Sequence, residues 1–308
     1  MSKLNSDELL PEDMGNNEKS VICIANEARF TSANYSEPLT AFTVGWKDPE
    51  NIEALLDFVA PAIPVGKRFE FKKSDNAQAF LSESDDVRSI GSSFKMVDFN
   101  GTSVMARTFN KGLTVRVDHD DVIGDDWQER YVQLLLRRLY RNELRRAIAA
   151  LNASTTPINK IWGGDGSLNP DGDIRLALSS AADITGIRPN RIIFGEGAWD
   201  TRSNTYDGQS TSAAMRAATL SMNDLSRKLF VDEIRVFGAR YQISENSKAK
   251  IVGNDVYLFY TQNNITKDEP ANIKRFLTPI DGSNFRVYVE EHSKFTDLTV
   301  EHYSNIIV

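Results

Sequence analysis

The densest run of possible cation ligands is Asp118-His119-Asp120-Asp121, followed by Asp125 and Asp126. Carboxylates brought together at a helix start could hold a hard divalent ion. The same acids also suit a solvated turn and the acid-rich first turn that a helix dipole favours, and that is the preferred reading. Asp165, Ser167, Asn169, Asp171 and Asp173 have the look of a calcium loop, but Pro170 stands where the loop needs glycine. Near the twelfth position there is Ala177 rather than Glu, so the segment reads as a turn-rich connection. Gly163-Gly164-Asp165-Gly166-Ser167 lacks the Gly-Lys-Ser/Thr ending of a phosphate loop. His119, His292 and His302 are the only histidines, and none has zincin or nucleophile-elbow context. They read as ordinary surface or interface residues. Glu290 and Glu291 are adjacent on a predicted strand, point to opposite faces and cannot act as an acid pair. Cys23, in Val21-Ile22-Cys23-Ile24-Ala25, reads as a small buried hydrophobe without a neighbour to activate its thiol. No catalytic, cofactor-binding or metal-binding residue is expected, and no cofactor.

The elements that would carry such groups belong to a folded chain of ordinary composition. Of 308 residues, 41% are apolar and 26% charged, enough for one large domain or two modest ones. No stretch approaches the roughly 18 apolar residues of a membrane helix. Met1 to Asn17 is polar and acidic, without the basic start and apolar core of a secretory signal. A single cysteine excludes an internal disulfide framework. The net charge of −7 disfavours a phosphate-gripping nucleic-acid binder, and no Lys/Arg run exceeds two residues.

Residues 1–20 read as an arm with little to bury. Val21 to Thr43 reads as extended, since Phe30, Tyr35 and Phe42 are spaced too irregularly for a helix. Asp48-Pro49 predicts a helix start, with Ile52, Leu55, Leu56 and Val59 on one face, ending before Pro61. Residues 66–117 read as a long β-ribbon. Phe69 and Phe71 mark one strand, Phe94 to Phe99 another, Asn100-Gly101 a turn, and Val104 to Thr108 and Leu113 to Val117 further strands. The Ser- and Asp-rich stretch 74–92 is long for a loop and suits an arm that reaches another molecule. Asp125 to Leu151 is the longest predicted helix, about 40 Å at 1.5 Å per residue. Asp125 and Asp126 charge its start. Arg137, Arg138, Arg141, Arg145 and Arg146 load its second half, a pattern that complements the dipole and offers inter-subunit salt bridges rather than a DNA grip. Helices are further predicted over 174–182, from 198, over 210–220 and over 224–229. Strands are predicted over 192–194, 233–237, 251–261, 285–290 and 299–308.

Residues 183–199 form the most distinctive passage. A helix should stop at Gly186, Pro189-Asn190 should turn the chain, Arg191 to Phe194 should form a short buried strand, and a helix should start after Gly195. The pattern Gly186-x-x-Pro189-Asn190-x-Ile192-Ile193-x-Gly195-x-x-Ala198-Trp199 resembles a step found in the major capsid proteins of tailed bacteriophages, the Hong Kong 97 type shell fold. Its place after a long Arg-rich helix strengthens the resemblance, which covers roughly residues 20–308.

The resemblance implies an α+β chain with an N-terminal arm (1–60), an extended β-hairpin loop with flanking strands (61–117), a peripheral domain with a long spine helix (118–174), an axial α/β domain (175–280) and terminal strands of the peripheral domain (281–308). It implies a non-enzymatic major capsid protein of a double-stranded DNA phage, assembling in the host cytoplasm into hexamers and pentamers of an icosahedral virion shell. Scaffold, portal and decoration proteins are the implied partners, with packaged DNA nearby without specific contact and no membrane. Asp85, Asp86, Arg88, Arg137 and Arg141 are the expected inter-subunit contacts. The alternatives are an encapsulin-type compartment shell and a soluble metal-dependent enzyme using Asp118 to Asp126.

Overall fold

The computed structural model describes residues 30–73, 87–94, 102–122, 124–163 and 168–308. The expectations for residues 1–29, 74–86, 95–101, 123 and 164–167, which include Cys23, Asp85, Asp86, the Asn100-Gly101 turn, Asp165 and Ser167, lie outside them.

Two short helices come first. α1 (Glu37–Gly45) begins where Ser36 accepts the Leu39 N–H and Pro38 occupies the first turn. The extended reading of this stretch is therefore corrected. Leu39, Thr40 and Thr43 are its buried residues, a mostly polar face that apolar spacing does not register. α2 (Ile52–Val59) starts later than Asp48-Pro49 suggested, after Asn51 in the left-handed region at φ 54°. Asp48 still caps it, accepting the Glu50 and Ile52 N–H groups at 3.0 and 2.8 Å.

The principal sheet is built around β12 (Phe295–Ile307). β4 (Phe109–Asp118) runs antiparallel along one edge, from Phe295↔Asp118 to Ser304↔Phe109. Along the other edge, β10 (Lys274–Leu277) and β11 (Phe285–Glu291) lie end to end, both antiparallel. β1 (Ala62–Pro64) adds a parallel strand outside β10. The 28-residue helix α3 (Trp127–Ser154) packs on this sheet. Leu135, Leu136, Leu139, Leu144 and Ile148 share a core with Phe285, Val287, Leu298 and Val300. Asp126 is its N-cap residue but makes no side-chain cap; its carboxylate pairs with Arg130 at 3.3 Å instead.

β2 (Arg68–Lys73) and β3 (Thr102–Arg107) form the antiparallel base of a ribbon. Phe69 and Phe71 turn inward onto Phe276, with ring centroids 4.5 and 5.5 Å away. β4, read from sequence as part of this ribbon, belongs instead to the principal sheet.

A second, three-stranded sheet has the order β6 (Glu233–Phe237), β5 (Arg191–Gly195), β9 (Val256–Phe259). β5 pairs parallel with β6 and antiparallel with β9. Every β5 residue is buried because the strand is covered on both faces. Ile192 and Phe194 pack against α4 (Pro170–Thr185) and α7 (Met222–Leu229), while Ile193 joins the large core. α4 ends at Gly186 with φ 72°, as the sequence requires. It begins at Pro170, with Asn169 capping Gly172, so Asp171 and Asp173 lie in a helical first turn rather than in a loop. α5 (Glu196–Asp207) packs beside this sheet, and α6 (Ser212–Ala218) packs on α5. The hairpin of β7 (Arg240–Ser244) and β8 (Ser247–Lys250) was not foreseen.

The strand expected over 251–261 contracts to β9. Residues 252–254 instead cross the start of α5 so closely that a Cβ on Gly195 would meet the Gly253 carbonyl at 2.0 Å. Gly197 is similarly pressed, by the Asn254 side chain at 1.9 Å. Gly195 is thus required by proximity to backbone, not by its own backbone angle, whereas the atom crowding Gly197 belongs to a side chain that can move.

Candidate assembly surface

Residues 87–94 carry three bulky apolar side chains, Val87, Ile90 and Phe94, and expose all of them. Phe94 is 71% exposed. The segment turns at Ser89–Ser92, where Ser92 N donates to the Ser89 carbonyl at 3.1 Å and Gly91 takes φ 90°. Arg88 lies over the Phe94 ring, 5.1 Å from its centroid. An apolar set held in water by a polar turn is the pattern of a contact surface.

The arginines of α3 divide into two groups. Arg141 pairs with Glu50 of its own chain at 2.6 Å and lines a groove of about 660 Å³ with Ile52, Leu55, Tyr241 and Lys248. Arg145 stacks on Tyr241 at 3.8 Å, and Arg146 reaches Glu143 at 2.6 Å. Arg137 makes no ion pair among the described residues, and Arg138 is exposed. Part of the arginine stripe is therefore held by its own subunit.

Two buried polar centres were missed by the sequence reading. On α3, Glu143 is 3% exposed and lies against the principal sheet. Lys111 Nζ donates to it at 2.9 Å and Ser304 Oγ at 2.8 Å, while His302 Nε2 is 3.6 Å away. Burial pushes the Glu143 carboxyl up, but the His302 ring and the Lys111 ammonium more than reverse this and hold it below the usual carboxylate range. Burial lowers His302 below the ordinary imidazole value. The surface reading of His302 is thus corrected: β12 is covered on both faces, and alternation cannot reveal a histidine inside such a strand. Ser304, His302 and Glu143 resemble a nucleophile set in composition only, since Ser304 donates to the carboxylate itself and all three are sealed in the core.

The second centre joins α4 to α5. Arg202, fully buried, donates to both oxygens of Asp171 at 2.6 and 3.0 Å. Lys228 adds a contact at 2.9 Å. Burial would raise the Asp171 carboxyl, and the Arg202 and Lys228 hydrogen bonds outweigh it, leaving it lowered. Asp171 thus serves as an internal tie.

The run Asp118 to Asp126 does not converge as a ligand group. Asp118 caps the short turn His119–Asp121, accepting the Asp120 N–H at 3.1 Å. The metal-compatible cluster among the described residues is Glu290, His292 and Asp297 at the β11–β12 turn, whose donor atoms lie within 4.8 Å of one another.

No model of a known protein family matches the sequence, and no curated protein does. Among solved structures, a phage-related protein from Bordetella bronchiseptica RB50 superposes with a TM-score of 0.64 at 17% identity, over 89% of this chain and 93% of that one. This chain has the fold of that phage-related protein. A virus-like particle from Pyrococcus furiosus matches at TM-score 0.44 and 13% identity, covering 88% of this chain and 94% of its own. The mature capsid of bacteriophage PhiM1 matches at TM-score 0.43 and 11% identity, covering 82% of each chain. No helix of the described residues is long and apolar enough to cross a membrane.

Proposed function

We propose that this chain is the major capsid protein of a tailed double-stranded DNA bacteriophage, a structural subunit that assembles with copies of itself as hexamers and pentamers of an icosahedral shell. The observation that carries this reading is the solvent-facing apolar set Val87, Ile90 and Phe94, each largely exposed on one short turn segment. A monomer gains nothing from this exposure; a neighbouring copy would remove it from water at about 25 cal/mol per Å² of apolar surface. The likeness in fold to a phage-related protein supports the same reading.

On this proposal α3 is the spine helix, the β2–β3 ribbon is the base of the extended loop, and the sheet of β5, β6 and β9 belongs to the axial domain. Asp85, Asp86 and Arg88 on the loop, with Arg137 on the spine, set register between subunits through charge, while Arg141 is already engaged by Glu50 of its own chain. The virion shell, assembled in the host cytoplasm, is the proposed location.

The test is a triple variant, Val87→Ser, Ile90→Ser and Phe94→Ser. It should keep the circular-dichroism spectrum and melting behaviour of the subunit and fail to form closed particles. Normal particles from this variant would contradict the assigned surface.

A further inference from the structure

We propose that Glu290, His292 and Asp297 form a binding site for one divalent metal ion of the zinc class, at the turn joining β11 to β12. Glu290 and Asp297 are direct cross-strand partners in the antiparallel pair. Two carboxylates set opposite each other repel unless a cation lies between or beside them. Beyond Asp297, on the adjacent strand, stands Arg116, which donates to Asp297 through Nε at 2.8 Å and Nη2 at 2.9 Å.

His292 supplies what an acidic cluster alone would lack. Its backbone N–H closes the turn onto the Phe295 carbonyl at 2.9 Å, and its ring packs on Phe295 with centroids 4.4 Å apart. These contacts fix the imidazole with Nε2 only 3.3 Å from Glu290 Oε1. Nε2 is shielded from solvent and makes no hydrogen bond. Donors bound tetrahedrally to zinc at 2.0–2.1 Å stand roughly 3.4 Å apart, so this spacing suits a shared ion. All three donor atoms lie within 4.8 Å, a span that small side-chain rotations close.

Arg116 does not exclude the ion. An ionised carboxylate has about four lone-pair sites, and the guanidinium uses one on each oxygen. Asp297 is sealed beneath the turn, while Glu290 and His292 are partly open, which leaves a side for solvent as a further ligand. One imidazole with two carboxylates favours a zinc-class ion over calcium, which takes six to eight oxygens, and over magnesium, which keeps most of its water.

The full-length chain, stripped with chelator, is titrated with zinc chloride by calorimetry, with calcium and magnesium chlorides in parallel. Cobalt(II) absorption serves as a second readout of nitrogen-containing coordination. One zinc per chain is expected, with no comparable uptake of calcium or magnesium. His292→Gln and Glu290→Gln should each weaken zinc by more than the roughly 10–100-fold that loss of an outer contact costs. Unchanged melting in chelator shows that these variants are folded. His119→Gln, a nearby imidazole outside the cluster, should bind as the parent does. Absence of zinc binding, binding that survives both cluster variants, equal binding of calcium, or loss in His119→Gln would each overturn the assignment.

Discussion

Glu143 on α3 and Ser304 on β12 meet through a 2.8 Å hydrogen bond in the buried seam between the long helix and the principal sheet. Lys111, from β4 on the far edge of β12, reaches both side chains at 2.9 Å. One carboxylate thus ties the helix to two strands, one just before it and one far beyond it in sequence. Replacing Glu143 with Ala should cost about 3 kcal/mol, because it leaves the half-buried Lys111 ammonium without its carboxylate. Chemical denaturation measures this, and a loss under about 1 kcal/mol would show that the tie is incidental.

The same seam should make the subunit sensitive to acid. His302 has a lowered folded value, so as pH falls below about 6.5 the unfolded chain takes up a proton before the folded one does, and stability drops. Glu143 is also lowered, so its contribution is present above the unfolded carboxylate value of about 4.3 and is lost below it. The two effects have the same sign and act in succession. Denaturation midpoints between pH 7 and pH 4 should fall, and His302→Phe should flatten the upper part of that fall. An unchanged slope in this variant would contradict the assignment to His302.

Gly195 and Gly197 should not tolerate alanine equally. At Gly195 the added methyl meets a backbone carbonyl, and at Gly197 it meets the end of the Asn254 side chain, which can rotate away. Gly195→Ala should cost about 1–3 kcal/mol or more, as overpacking does, and Gly197→Ala clearly less. Thermal melting of the two variants orders them, and the reverse order would contradict the packing described here.

The buried face of α3 offers a plainer check. Leu139 and Leu144 are buried against the sheet, and Leu139→Ala should cost about 2–5 kcal/mol. Leu134, on the opposite face and exposed, should accept Ala with a change within about 0.5 kcal/mol. Comparable losses at both positions would contradict the orientation of the helix.

Where local chemistry decides an element, it is legible in the sequence. The Gly186 stop, the buried strand β5 and the apolar stripe of α3 all follow from residue types over short spans. Elements set by distant partners are not. β10 and β1 are only four and three residues long, and they exist because β12 and β10 offer edges to them. The hairpin of β7 and β8 carries little apolar patterning, being largely exposed. Glu143 reads as one more charge on an Arg-rich helix until Lys111 and Ser304 arrive from strands on either side of it in sequence. The Glu290–His292–Asp297 cluster is hidden for a related reason: its residues are ordinary in sequence, and only the β11–β12 register puts two carboxylates face to face.

The central claim, that this chain builds a closed shell from copies of itself, is tested most directly by imaging. The purified chain, expressed alone and with the neighbouring genes of its source, is examined by sedimentation velocity and negative-stain electron microscopy. Fast-sedimenting, isometric closed particles made of this chain are the expected result. A chain that remains a stable monomer in every preparation would contradict it.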